Sequence, residues 1–226
     1  DVDLTSAILQ SCDIYFYRTI QYYELDRLAQ YFRLFGFGKI TGIDIGREYK
    51  GTVPNTAYMN KRYGRFGWSK GSLLNFCIGQ GEILVTPIQV FNYTNLLATK
   101  GSANSPHLVS SIKKEPKSEI SLAPQIWDRI IFDMGQVVSH AKGTGKNADP
   151  AIQGVEVYGK TGTAENPHGE DHAWFIGWAQ YEERKFSIVV LLENSGSGGA
   201  VAAPVAKNVF DKIILGINNS KQISLK

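Results

Sequence analysis

Apolar side chains at helical intervals open the chain: Leu4, Ile8, Ile14, Tyr15 and Phe16 predict one largely buried helix from Leu4 to about Tyr22, with Asp3 or Thr5 as its cap. Ser11 and Asp13 fall in the middle of that helix. A second helix, about Leu25 to Phe35, places Leu25, Leu28, Ala29, Phe32 and Phe35 on one side and stops at Gly36, a residue suited to the left-handed turn that closes helices. From there to about Trp68 the chain is rich in Gly, Tyr and Arg and reads as irregular. Thr86-Pro87-Ile88-Gln89 predicts a sharp helix start: threonine caps, proline takes the first helical position, and glutamine completes a capping box. That helix runs to about Lys100, before Gly101. Another is expected from Pro124 to about His140, where Ile126, Ile130, Met134 and Val137 share a face.

After Gly154 the period changes. Val155 to Tyr158, Ala173 to Gln180 and Lys185 to Glu193 read as strands, the last two joined as an antiparallel hairpin by Tyr181-Glu182-Glu183-Arg184. A Gly/Ser loop, Asn194 to Gly199, leads into a final helix through Val205, Val209, Phe210 and Ile213. Helices, then an antiparallel sheet, then a terminal helix make α+β the expected class. No repeat or linker divides the chain, so residues 1–226 are expected to form part of a single domain.

Composition narrows the function classes. With 43% hydrophobic and 20% charged residues, the chain can bury a sizeable core, which sets disordered and fibrous classes aside. The net charge of +3 is spread along the chain without a basic run, so no nucleic-acid partner is expected. Cys12 and Cys77 are too few for a disulfide scaffold or a paired Cys-x-x-Cys zinc site, and are expected as buried free thiols. No His/Cys/Asp cluster has metal-ligand spacing, so neither a metal nor another cofactor is expected. No apolar run reaches the roughly 18 residues of a membrane span. Asp1-Val2-Asp3 lacks signal-peptide features, and a helix that starts almost at once reads as a cut inside a domain.

Three short motifs carry candidate chemistry: Ser11-Cys12-Asp13, Gly79-Gln80-Gly81 before the capped helix, and Lys160-Thr161-Gly162-Thr163 at the end of a strand. Each alone is common. Their order is not, because Ser-x-Asn or Ser-x-Asp followed far downstream by Lys-Thr-Gly on a strand is the pattern of penicillin-recognising enzymes. Ile78-Gly79-Gln80-Gly81, continuing to Thr86-Pro87-Ile88-Gln89, and His172-Ala173-Trp174-Phe175-Ile176-Gly177 extend the match from Leu4 to Leu215. On these residues the chain resembles the transpeptidase domain of class B penicillin-binding proteins, and their elongation-type branch in particular.

The resemblance implies a penicillin-binding/serine β-lactamase-like fold, an antiparallel sheet with flanking helices, N-terminally incomplete in this chain. It implies D,D-transpeptidation of peptidoglycan stem peptides ending in D-alanyl-D-alanine, and reaction with β-lactam antibiotics. Ser11 would relay protons near the scissile bond and Asp13 would position the substrate backbone. Lys160 would place positive charge beside the relay, and the hydroxyls of Thr161 and Thr163 would hold the terminal carboxylate. Gly162 would let the edge strand approach the substrate. The Thr163 N–H would form half of the oxyanion hole.

The nucleophile of this family lies in a Ser-x-x-Lys motif upstream of Ser-x-Asn, and none precedes Ser11 here. Ser110/Lys113, Ser111/Lys114 and Ser139/Lys142 fit the spacing but follow Ser11, and are read as chance matches. Asp13 replaces the commoner Asn, and Ser72 stands where the family often has an acid, so Ser72 receives no role. His172 and Trp174 are read as packing residues, and Tyr15, Phe16 and Tyr17 as core. By resemblance, the complete protein would be anchored in the bacterial inner membrane with its catalytic domain in the periplasm, and would meet cell-elongation scaffold and glycosyltransferase proteins. Two other readings stay open: a carboxypeptidase or β-lactamase-type hydrolase, and a non-catalytic penicillin-fold module that binds stem peptides or partner proteins.

Overall fold

A computed structural model describes residues 2–109 and 116–224. The chain divides into two compact units, one of residues 1–7 and 12–127, the other of residues 8–11 and 128–226.

The expected first helix is broken. Helix α1 spans Leu4–Gln10 and α2 spans Asp13–Ile20, with Ser11 in the left-handed region at φ 55 and Cys12 extended. Ser11 N–H donates to the Ile8 carbonyl and Cys12 N–H to the Ala7 carbonyl, the bond pair that closes helices through a left-handed residue. The break resets the helical phase, so the stripe of α1 does not continue into α2. Ile20 is the buried residue of α2; Tyr15, Phe16 and Tyr17 are half-buried and Ile14 is 64% exposed, which corrects the expectation of one buried helix with an aromatic core.

Within the first unit, α3 (Leu25–Leu34) ends as expected at Gly36, where φ is 94. The same bond pair closes it, from Gly36 to Arg33 and from Phe37 to Phe32, with the Phe32 and Phe37 rings edge to face at 5.8 Å. The segment to Trp68 is not wholly irregular. It contains α4 (Thr56–Tyr63), capped by the Asn55 side chain on Tyr58 N–H, and α5 (Ser72–Cys77) follows it. The core here gathers Ile20, Leu25, Met59, Leu73, Phe76 and Ile83.

Gly79 ends α5 with the bond pair already seen, at φ 80, which accounts for the first glycine of Ile78-Gly79-Gln80-Gly81 as a helix stop. Helix α6 (Pro87–Ala98) carries the full capping box between Thr86 and Gln89. Gln89 is 2% exposed, and its Nε2 also donates to the carbonyls of Lys39 (2.6 Å) and Lys50 (2.9 Å), tying the preceding segment to the start of α6. A small antiparallel pair follows, β1 (Ser102–Asn104) with β2 (Pro116–Glu119).

Helix α7 (Pro124–Ser139) forms where its apolar spacing predicts, with Met134, Val137 and Val138 buried, while Ile126 is exposed. The second unit's sheet is antiparallel in the order β3 (Val155–Ala164), β4 (His172–Tyr181), β5 (Arg184–Leu192), so β3 lies at an edge. In β3, Lys160 pairs with Ile176, Gly162 with Trp174 and Thr163 with Ala173. A π-helical turn, Gly198–Ala202, leads into α8 (Ala203–Ser224). The final helix is where it was expected, but its core-facing stripe is Ala203, Ala206, Phe210 and Ile214; Val205 and Val209 are more than a third exposed. Alanines let the helix backbone come close to the sheet, which longer valines would hold off. Helices beside a three-stranded antiparallel sheet make the class α+β, as the pattern of elements required.

Candidate active site

The site of the second unit is built from two backbone features. The αL turn after α1 lifts the Ser11 side chain out of the helical path, and the edge strand β3 presents Lys160-Thr161-Gly162-Thr163 in alternation, Lys160 and Gly162 on one face, Thr161 and Thr163 on the other. Lys160 Nζ donates to Ser11 Oγ at 2.8 Å and to the Thr161 carbonyl at 2.9 Å. The two motifs, 149 residues apart in sequence, therefore meet through a charged donor and a hydroxyl. Because the ammonium has no lone pair to accept with, Ser11 accepts from Lys160 and keeps its own proton for another acceptor.

The threonines lie on the face that packs against the turn before α8. Thr161 Oγ1 donates to Thr144 Oγ1 at 2.8 Å, and Thr163 Oγ1 accepts the Gly198 N–H at 3.4 Å. Gly198 packs on β3 and β4 so closely that a Cβ there would stand 2.2 Å from the Trp174 carbonyl oxygen and 2.4 Å from that of Gly162. Gly162 itself has Trp174 Cβ at 3.2 Å from its own Cβ position, so the strand is glycine here for contact with its neighbours as well. On the threonine face, Phe175 needs the bare backbone of Gly159, where a Cβ would meet its Cζ at 2.4 Å.

Beyond the threonines, the loop Asn166 to Asp171 is stitched to the loop after β5. Asn166 Nδ2 donates to Asn194 Oδ1 (2.6 Å), and His172 Nδ1 accepts the Asn194 N–H (3.0 Å). His172 thus uses its ring nitrogen to hold a loop.

Asp13 belongs to the first unit, where it opens α2 and favours its positive end. Burial pushes the Cys77 thiol above its usual range, and the Asp13 charge adds to the shift. Cys12 and Cys77 are free but half-buried, less enclosed than expected. Tyr158 Oη donates to Glu156 Oε2 at 2.7 Å and the Tyr158 ring stacks on Trp178 at 5.0 Å; burial, then the Glu156 bond, push its pKa up to about 12. Of the chance Ser-x-x-Lys matches, Ser139 Oγ donates to the Gly135 carbonyl inside α7, an ordinary use of a helical serine. Ser110/Lys113 and Ser111/Lys114 lie outside the described residues.

A family model described as "Penicillin binding protein transpeptidase domain" matches residues 1–211. The chain belongs to the penicillin-binding protein transpeptidase family. Among similar family members, the peptidoglycan D,D-transpeptidase MrdA of Haemophilus influenzae is 37% identical over 93% of this chain and 36% of its own length. The Acinetobacter baumannii MrdA is 30% identical over 95% of this chain and 35% of its own length. The chain therefore spans about a third of these curated relatives. Among solved structures, Pseudomonas aeruginosa PBP2 in complex with WCK 5153 superposes with a TM-score of 0.83 at 37% identity, covering 93% of this chain and 47% of that one. A Helicobacter pylori PBP2 in complex with MreC gives 0.79 at 31% identity, over 92% of this chain and 40% of that one. The similarity to penicillin-binding transpeptidases read from the motifs holds across sequence and fold, with MrdA and PBP2 proteins among the matches.

Two parts of the site in this family member escaped sequence reasoning. Thr144 lies in Lys142-Gly143-Thr144-Gly145-Lys146, where a threonine between glycines, between a helix and a strand, was the available signal. Gly198 sat in a loop whose composition says turn but not what the turn presses against.

Proposed function

We propose that the chain is part of a bacterial peptidoglycan D,D-transpeptidase acting on stem peptides that end in D-alanyl-D-alanine, and that both units belong to one catalytic domain. The observation that carries this reading is the 2.8 Å bond from Lys160 Nζ to Ser11 Oγ. Within that reading, a serine of a Ser-x-x-Lys motif outside these residues attacks the penultimate D-alanine carbonyl, with the Thr163 N–H as one oxyanion donor. The C–N bond breaks: Ser11 passes its proton to the departing D-alanine amine and takes up in its place the proton that the attacking serine releases through the lysine of its own motif. Lys160 directs this step, since its ammonium occupies a Ser11 lone pair and turns the Ser11 proton outward. The amine of a second stem peptide then displaces the serine from the acyl-enzyme, forming the cross-link. Thr161 and Thr163 hold the substrate's terminal carboxylate, and Gly162 lets β3 lie close to it.

The same clamp suits the carboxylate of a β-lactam, which stands in for the terminal carboxylate of the peptide. A scaffold partner is supported by the Helicobacter PBP2 solved with MreC. A membrane anchor, a periplasmic location and contact with a glycosyltransferase complete the proposal for the whole protein. Among the described residues, no helix is long and apolar enough to cross a membrane.

The test is acylation of the full-length parent by fluorescent penicillin. Lys160→Ala or Thr163→Ala is expected to slow it about tenfold to a hundredfold, the cost of one bond to a charged group. Ser139→Ala should label like the wild type. Unchanged rates in both site variants overturn the assignment.

A further inference from the structure

The turn between α7 and β3 supplies a residue that belongs to none of the three motifs. Thr144 touches both halves of the site. Its backbone N–H donates to the Leu9 carbonyl at 3.1 Å, two residues before Ser11, and its Oγ1 is the acceptor for Thr161 Oγ1, one residue after Lys160. The turn is held from several sides. A Cβ on Gly143 would meet the Val137 carbonyl oxygen at 2.2 Å, and one on Gly145 would meet Val137 Cγ1 at 3.0 Å, so the turn rests directly on the end of α7. Asn147 Nδ2 donates to the Gly199 carbonyl at 2.9 Å, and Gly199 has the Thr144 carbonyl oxygen 2.5 Å from its own Cβ position. Thr144 is thus fixed against α1, β3 and the π-helical turn together.

A hydroxyl has one proton and two acceptor lone pairs. Across the 2.8 Å Thr161–Thr144 contact either hydroxyl can donate, and in the arrangement with Thr161 as donor its proton is already used. A carboxylate accepts and cannot donate, and it can be held by Thr161 only if Thr161 turns its O–H toward it. The bond to Thr144 then survives only if Thr144 reverses and donates to Thr161. Rotating two O–H bonds achieves this without moving a heavy atom. A serine at position 144 keeps that option and a valine removes it.

We propose that Thr144 is a positioning residue: its hydroxyl fixes the Thr161 side chain and takes over as donor when Thr161 binds the terminal carboxylate of a D-alanyl-D-alanine peptide or a β-lactam, while its main chain holds the Ser11 turn. The proposal rests on the transpeptidase reading and adds a residue to it. Because the carboxylate is held in both the bound complex and the transition state, losing the switch weakens binding and leaves the chemical step unchanged.

The experiment measures acylation of the full-length parent by fluorescent penicillin across a concentration series. Thr144→Val is expected to raise the half-saturating concentration about tenfold, with the limiting rate within about twofold of the wild type. Thr144→Ser is expected to restore the wild-type value. In a Thr161→Val background, Thr144→Val should add nothing, because the two act as a unit. A wild-type half-saturation in Thr144→Val, a loss confined to the limiting rate, a Thr144→Ser protein as impaired as Thr144→Val, or full additivity with Thr161→Val each overturns the proposal. If the wild-type parent is not acylated at all, the transpeptidase reading fails and this inference falls with it; an acylated wild type with an unaltered Thr144→Val overturns the inference alone.

Discussion

Ser11 and Gly36 hold the same place at the ends of two different helices: each lies in the left-handed region, at φ 55 and φ 94, and each is closed by the same pair of backbone hydrogen bonds. Glycine adopts that conformation without strain, whereas a residue with a Cβ is disfavoured there by about 1–2 kcal/mol. The serine that Lys160 contacts thus sits where the backbone alone would prefer glycine, and such strain gathers at sites where a side chain must be aimed.

That relationship fixes the sign of a stability difference. Ser11→Gly and Ser11→Ala both remove the hydroxyl, but at a left-handed helix end Ser11→Gly is expected to be the more stable protein by about 1 kcal/mol. In a continuous helix the order would reverse by a similar amount. Chemical denaturation of the pair reads the sign directly, and both variants should label poorly with penicillin.

Glycine contacts predict opposite outcomes at two positions of the second unit. Gly198→Ala pushes a Cβ into the carbonyl oxygens of Trp174 and Gly162, so it should cost about 1–3 kcal/mol and slow acylation by shifting the turn that bonds Thr163. Gly216→Ala, inside α8 with open space at its Cβ position, should instead raise the melting temperature, by the roughly 0.5–1 kcal/mol that alanine gains over glycine in a helix.

In the first unit, Gln89→Leu keeps most of the buried volume but leaves the Lys39 and Lys50 carbonyls and the Thr86 N–H without their partner. Unfolding measurements should show a loss of about 2 kcal/mol or more. A loss below about 0.5 kcal/mol would mean that water replaces Gln89 readily.

Tyr158 gives a pH signature. Its pKa is raised from 10.0 to about 12 in the folded chain, so the folded state holds the phenol proton more tightly than the unfolded state does. The resulting stabilisation is present in full below pH 10 and is lost as the pH rises through about 12. Tyr158→Phe should lack that part of the alkaline decline, which urea titrations from about pH 9 up to about 12 would reveal. An identical decline in both proteins would assign it to other groups.

The elements most legible in the sequence were those whose determinants are local. The Thr86–Gln89 capping box, the Gly36 helix stop, the α7 periodicity and the Tyr181–Arg184 hairpin each depend on residues within a few positions of one another. The short helices α4 and α5 were hidden because their burial is set by partners far along the chain, and aromatic, glycine-rich composition masks so brief a period. The core-facing stripe of α8 was not legible because alanine looks less like core than valine does, until the closeness of the sheet is known.

The sequence by itself determined the family, the α+β class and the motif residues, because motif chemistry and element periods are written in residue types and spacing. Tertiary structure decided the break at Ser11, since a serine in a helical run gives no local sign of a left-handed backbone. It alone decided that Lys160 reaches Ser11 and that Thr161 rests on Thr144, because those bonds join segments 149 and 17 residues apart and depend on how α1, the Gly143–Gly145 turn and β3 pack. Local propensity carries no information about such pairings, which exist only once the chain has folded.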